Sequence, residues 1–169
     1  MNDTAETLFE RYHVAAYRYF RRVTGRHDAA QDLTQELFLR VVRALKAYAA
    51  TGRDAEWVFR IARNLAVDHR RRATTRAEAD WADAASARVE ATQVVAFGVS
   101  EALALLGEPE REALLLRELV GLTYDELSRV CQVGPDVVSR RLQRARTRMR
   151  QLLTTRLRGE DGQDSRQDG

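Results

Sequence analysis

One stretch of the chain dictates most of its own geometry. Leu122-Thr123-Tyr124-Asp125-Glu126-Leu127 sets Thr123 and Glu126 in capping-box spacing, with Leu122 and Leu127 at the two positions of a hydrophobic staple. A helix therefore starts there to within a residue or two. Val133-Gly134-Pro135 ends it and opens a second helix, because proline at a first helical position gives up no hydrogen bond and already has helical φ. Val138, Leu142, Ala145, Met149 and Leu152 then recur at three- and four-residue spacing, one apolar face that must pack inward. The pair is a helix-turn-helix. Arg140, Arg141, Arg144, Arg146, Arg148 and Arg150 fill the rest of the second helix, and no acidic residue stands between Val137 and Arg158. An arginine run alone is commonly a solvated face. Directly after a capped short helix and a tight turn, it points to a recognition helix for the major groove.

Similar helical spacing recurs upstream. Leu8, Phe9, Tyr12, Ala16, Phe20 and Val23 lie on one face of a helix that ends at Gly25. A second helix opens near Asp28 and carries Leu33, Leu37, Phe38, Val41 and Leu45; a third starts near Asp54 with Val58, Ile61, Ala62, Leu65 and His69 on one side. No stretch alternates β-branched and polar residues, so the expected fold is all-α, in two small helical domains. The first spans residues 1–72. Residues 73–87, poor in anything to bury beyond Trp81, are expected as a flexible linker, partly helical because alanine allows it. The second domain spans residues 88–158, and the polar tail at 159–169 is expected to be disordered.

With 169 residues and a net charge of +3, what matters is how the charge is distributed. Lys46 is the sole lysine, so almost all positive charge is guanidinium, suited to bidentate contacts with phosphate and guanine. Cys131 is alone, which excludes an internal disulfide or a cysteine-rich zinc site; it is expected as a small buried apolar residue. No apolar run approaches a membrane span and the N-terminus lacks a basic-then-apolar leader, so a cytoplasmic location is expected.

Four stretches, in order, resemble the extracytoplasmic-function sigma factors of the sigma-70 family, over roughly residues 5–155. Asp32-Leu33-Thr34-Gln35-Glu36-Leu37-Phe38 is similar to the helix that docks on the β′ clamp helices of RNA polymerase. Trp57-Val58-Phe59-Arg60-Ile61-Ala62-Arg63-Asn64 resembles the segment that reads the minus-ten promoter element. Leu116-Arg117-Glu118-Leu119-Val120-Gly121-Leu122-Thr123-Tyr124 and the helix-turn-helix after it resemble the part that reads the minus-thirty-five element. The resemblance implies core RNA polymerase (β′ clamp helices and β flap), promoter DNA and an anti-sigma factor as partners, with any membrane recruitment passing through the anti-sigma factor. It implies neither a cofactor nor catalysis by the chain itself.

Residue by residue, the resemblance assigns Asp28, Asp32, Gln35 and Glu36 to polymerase binding. The carboxylates lie four apart, so they line one edge of the second helix; on an arginine-rich chain such an edge repels DNA and attracts a basic surface, or else is a solvated face with local pairs such as Glu36 to Arg40. Trp57, Arg60, Arg63, Asn64, Arg70 and Arg71 are assigned to the minus-ten element, where unstacked bases offer faces and edges to Asn64 and a tryptophan serves as wedge or core anchor. Arg117, Tyr124, Ser139, Arg140, Arg141, Gln143 and Arg144 are assigned to the minus-thirty-five element. Asp54 stands where an aromatic is common in the family, and Asp136-Val137 and Ser139 replace a common Gly-Thr and arginine, so a distinct sequence preference is expected. A stand-alone helix-turn-helix regulator would leave the acidic helix and the Trp57–Asn64 segment idle. An enzyme acting on nucleic acid finds no support in His13, His27 and His69, which fall on separate helices.

Overall fold

The computed structural model describes residues 4–48, 52–79 and 94–161, with side chains at 4–48, 52–75 and 98–154, and every regular element among them is helical. Helix α1, Ala5–Thr24, starts where Thr4 Oγ1 accepts the Thr7 N–H at 3.2 Å and stops at Gly25, whose φ of 72° suits glycine. Helix α2, His27–Ala44, runs into a 3-10 turn at Leu45–Ala47. Helix α3 is Asp54–Ala79. These three pack on one another through Leu8, Tyr19 and Phe20 of α1, Leu37 and Val41 of α2, and Val58 and Phe59 of α3. Tyr19 and Phe59 belong to the core although the strictest apolar phase omitted them; Phe9, counted on that phase, is 46% exposed and stacks on His13 at 4.7 Å.

In the second half, α4 is Val94–Ala104 and α5 is Glu108–Leu115, the latter running without a break into a π-helical turn, Leu116–Val120, that closes at Gly121 with φ 80°. Helices α6, Tyr124–Cys131, and α7, Pro135–Asp161, form the helix-turn-helix. The first part of the expected linker is helical: α3 continues through residues 73–79, where alanine favours helix and Thr74 and Thr75 return their hydroxyls to the carbonyls of Arg70 and Arg71. Residues 80–87 lie outside the described residues. The tail is helical to Asp161, two residues past the expected break at Gly159, and 162–169 lie outside the described residues.

The halves do not stand apart. Helix α3 packs against α6, and α1 against the π-helical turn, so the buried apolar cluster continues from Phe20 and Phe59 through Leu115 and Leu116 to Leu127 and Leu142.

Candidate nucleic-acid interface and docking edge

The capping box forms as its residues require. Thr123 Oγ1 accepts the Glu126 N–H at 3.3 Å, Glu126 Oε2 accepts the Thr123 N–H at 2.7 Å, and the staple residues Leu122 and Leu127 are both buried. The turn is made by Gln132, left-handed at φ 56°, with the Ser128 hydroxyl donating to the Val133 carbonyl. Sequence gives no warning of a left-handed glutamine; glycine is the usual occupant. In α7, Val138, Leu142 and Ala145 are fully buried, which fixes the helix's rotation. Ser139, Arg140, Gln143 and Arg144 are consequently exposed, and Arg141 is half-buried. Arg140 and Arg144 have no ion-pair partner among the described residues, whereas Arg146 pairs with Glu118 at 3.2 Å. Arg117 donates to the Leu122 carbonyl at 2.6 Å and lies 5.7 Å over the Tyr124 ring, so it braces the approach to α6.

Helix α3 carries its arginines differently. Arg60, Asn64 and Arg71 are exposed. Arg63 Nε lies 3.1 Å from Glu112 Oε1 and Arg70 Nη2 lies 2.7 Å from Glu108 Oε1, both carboxylates on α5. Trp57 is half-buried, one face stacked on Tyr48 at 4.1 Å between centroids. That stacked pair lines a cavity of about 360 Å³ with Arg53, Glu56 and Arg60. Asp54 takes the place of an aromatic by anchoring the start of α3: its carboxylate accepts the Tyr48 hydroxyl at 2.7 Å and Arg11 at 3.5 Å. The loop residues 49–51 lie outside the described residues.

On α2, Asp28, Asp32 and Gln35 are exposed and Glu36 is half-buried. Arg26 grips Asp28 with two hydrogen bonds of 2.6 and 3.1 Å, which hold that carboxyl down at about 2. Glu36 is lowered by the same device, a 2.7 Å bond from Arg40. Asp32 has no ion-pair partner among the described residues. Beside this edge runs a groove of about 470 Å³ between α1 and α2 that the sequence reading missed, with Gln31, Phe38, Leu39 and Val42 in its wall. Leu39 and Val42 are 45% and 54% exposed. Both fall off the Leu33–Leu37–Val41 phase, a signal that could have marked them as surface.

Cys131 is buried at the end of α6, and burial, then Glu112, push its thiol up to about 11. His13 Nδ1 bonds the Phe9 carbonyl and His27 Nδ1 the Tyr17 hydroxyl. Among the described residues, no group of three His, Cys, Asp or Glu side chains could hold a metal ion, and no helix is long and apolar enough to cross a membrane.

Comparison with known proteins agrees with this layout. Residues 8–76 match sigma-70 region 2 and residues 97–149 match sigma-70 region 4. The chain is 33% identical over 137 residues to the ECF RNA polymerase sigma factor BldN of Streptomyces coelicolor, covering 76% of this chain and 52% of that protein. It is 30% identical over 135 residues to the ECF RNA polymerase sigma factor EcfG of Rhodopseudomonas palustris, covering 78% of this chain and 75% of that protein. It thus spans about half of one relative and three quarters of the other. The fold superposes on the sigma factor RpoE of Bartonella quintana, solved in complex with the anti-sigma factor NepR, with a TM-score of 0.77 at 22% identity, covering 88% of this chain and 96% of that one. CnrH, solved with the cytosolic domain of CnrY, gives a TM-score of 0.68 at 21% identity, covering 89% and 88%. The two sigma-70 regions in order and the shared all-helical architecture lead to one conclusion: the chain belongs to the ECF RNA polymerase sigma factors.

Proposed function

We propose that the chain binds core RNA polymerase and directs it to promoters by contacting two DNA elements, itself catalysing no reaction. The carrying observation is the rotation of α7: burying Val138, Leu142 and Ala145 turns Ser139, Arg140, Gln143 and Arg144 outward together, directly after a capped α6. That face reads the minus-thirty-five element in the major groove, where guanidinium and amide groups pair with base edges. Arg117 and Tyr124 contribute by shaping the approach. Arg60, Asn64 and Arg71, with Trp57 beside its cavity, receive the minus-ten strand as it unstacks. Arg63 and Arg70 join them once released from α5.

The α2 edge docks on the β′ clamp helices: Asp32, Gln35 and Glu36 give electrostatic and polar contacts, Asp28 lies at the near end, and the groove beside Leu39 and Val42 adds apolar area. The C-terminal half meets the β flap. An anti-sigma protein is the proposed regulator, as in the solved complex of RpoE with NepR, and the working site is the cytoplasm, with membrane recruitment only through that regulator. Run-off transcription with purified core enzyme and a genomic promoter library tests the reading. Specific initiation should depend on this protein, and Asp32→Lys with Glu36→Lys should abolish it while leaving duplex binding by α7 in place. Failure to initiate at any promoter sinks the proposal.

A further inference from the structure

The arginine-rich helix α7 carries one carboxylate before Glu160, that of Asp136 in its first turn. Asp136 is exposed, and its side chain makes no ion pair or hydrogen bond among the described residues. Its azimuth follows from the buried trio Val138, Leu142 and Ala145. At about 100° per residue, Asp136 and Arg140 both fall within about 30° of the direction opposite that trio, whereas Ser139 lies about 90° to one side. The acid is therefore as central to the outward face as Arg140. A helix N-terminus ordinarily draws a phosphate onto its free N–H groups. Here Pro135 has no N–H, and the Val137 and Val138 N–H groups donate to the Gly134 carbonyl at 3.0 and 3.1 Å. The Asp136 charge repels a phosphate from the same spot, and a Cβ added at Gly134 would meet nothing within 4 Å, so the tip of the helix is open. We propose that Asp136 is a specificity-determining residue for the minus-thirty-five element, accepting a hydrogen bond from the exocyclic amino group of a cytosine.

The assignment rests on reading α7 as a major-groove helix, and it adds which base that helix selects. An ionised carboxylate can only accept hydrogen bonds. In the major groove, cytosine offers the N4 donor with no acceptor beside it, and adenine sets its N6 donor next to the N7 acceptor. Thymine offers the O4 acceptor and a methyl group, and guanine offers two acceptors, N7 and O6. The expected order at Asp136 is thus cytosine first, then adenine, thymine and guanine. Much of the discrimination comes from the penalty of pressing a desolvated carboxylate against acceptors. Arg140, one turn further on, has the opposite demand, because a guanidinium only donates and fits guanine O6 and N7. The two residues are about 6 Å apart along the helix, which is less than two base-pair steps of about 3.4 Å. The face therefore calls for a cytosine within about two base pairs of a guanine. Asp136 also favours the helix end through the macrodipole, but that contribution is the same whatever base lies below.

The full chain assembled with core RNA polymerase tests this, by selection from a pool of duplex DNA randomised over promoter length and sequencing of what is bound. The wild-type upstream block should hold a guanine column and, close by, a column in which cytosine is preferred over guanine by about tenfold. Asp136→Ala should flatten the cytosine column and keep the guanine column, and Arg140→Ala should do the reverse. Asp136→Asn should move the column from cytosine to adenine, because an amide accepts from N6 and donates to N7. A cytosine column that persists in both Asp136 variants overturns the proposal. So does a change in affinity that is equal at every sequence, because the acid then serves only the helix end. A loss confined to the guanine column overturns it too, because Asp136 then acts by orienting Arg140. A wild-type selection with no upstream block at all brings down the major-groove reading of α7 itself, a failure distinct from that of Asp136.

Discussion

Helices α3 and α7 are both rich in arginine, both long, and both turn one apolar face inward, yet they meet the solvent in opposite conditions. On α7, Arg140 and Arg144 stand exposed with no acid opposite them among the described residues. On α3, Arg63 and Arg70 face two carboxylates delivered by α5. The difference arises from neighbours and not from residue type. A guanidinium is a nucleic-acid contact only where the fold leaves its donors unclaimed, and each helix's own sequence is silent on that. The α2 edge is an intermediate case: Asp28 and Asp32 are exposed and Glu36 is half-buried, but Asp28 and Glu36 carry counter-ions from two and four residues away.

The largest effect expected is on the platform under the α7 face. Leu142→Ala removes a fully buried side chain from the helix-turn-helix core and should destabilise the protein by about 2–5 kcal/mol, read by denaturant unfolding. A change within about 0.5 kcal/mol, as for an ordinary surface substitution, would mean that α7 is not oriented by its core. Next, Arg144→Ala should weaken binding to a cognate minus-thirty-five duplex by about 1–3 kcal/mol, whereas Arg70→Ala, which removes a residue already engaged by Glu108, should leave duplex binding nearly unchanged. Equal losses in a duplex-binding titration would erase the contrast between the two helices.

The smallest effect concerns α2. Because Arg26 holds the Asp28 carboxyl at about 2, Arg26→Ala should return its titration toward the ordinary value of about 3.9, followed by NMR of the side chain. The sign follows from linkage: a carboxyl lowered in the folded state contributes stability above its unfolded value, lost as pH falls from about 4 to about 2. The pair is exposed, so raised salt should shrink the shift. An unchanged titration would show that the acidic edge carries its full charge without local partners.

Local chemistry made much of this molecule readable before any coordinates. The cap at Thr123, the stop at Gly25 and the proline at the start of α7 each depend on one or two neighbouring residues, so their signals survive in sequence. The apolar face of α7 was equally plain, and with it the exposure of Ser139, Arg140, Gln143 and Arg144. The ion pairs between the two halves were not readable. Arg63 and Glu112, or Glu56 and Arg129, are distant in sequence and obey no spacing rule, so nothing short of the fold brings them together. Gln132 was hidden for another reason: its left-handed backbone is imposed by the turn around it, against its own preference. Leu39 and Val42 were readable as surface, since both fall off the Leu33–Leu37–Val41 phase.

The π-helical turn at Leu116–Val120 gives the second half an adjustable bearing. An α-helix turns about 100° per residue, and a π turn is wider, so it can absorb an additional residue within an otherwise continuous helix. It therefore sets the azimuth at which the chain leaves through Gly121, and with it the direction in which α6 and α7 point. Loss of a single residue there would leave charge and apolar content almost untouched while rotating everything downstream. In this chain, the aim of α7 is governed by a count of residues as well as by their chemistry.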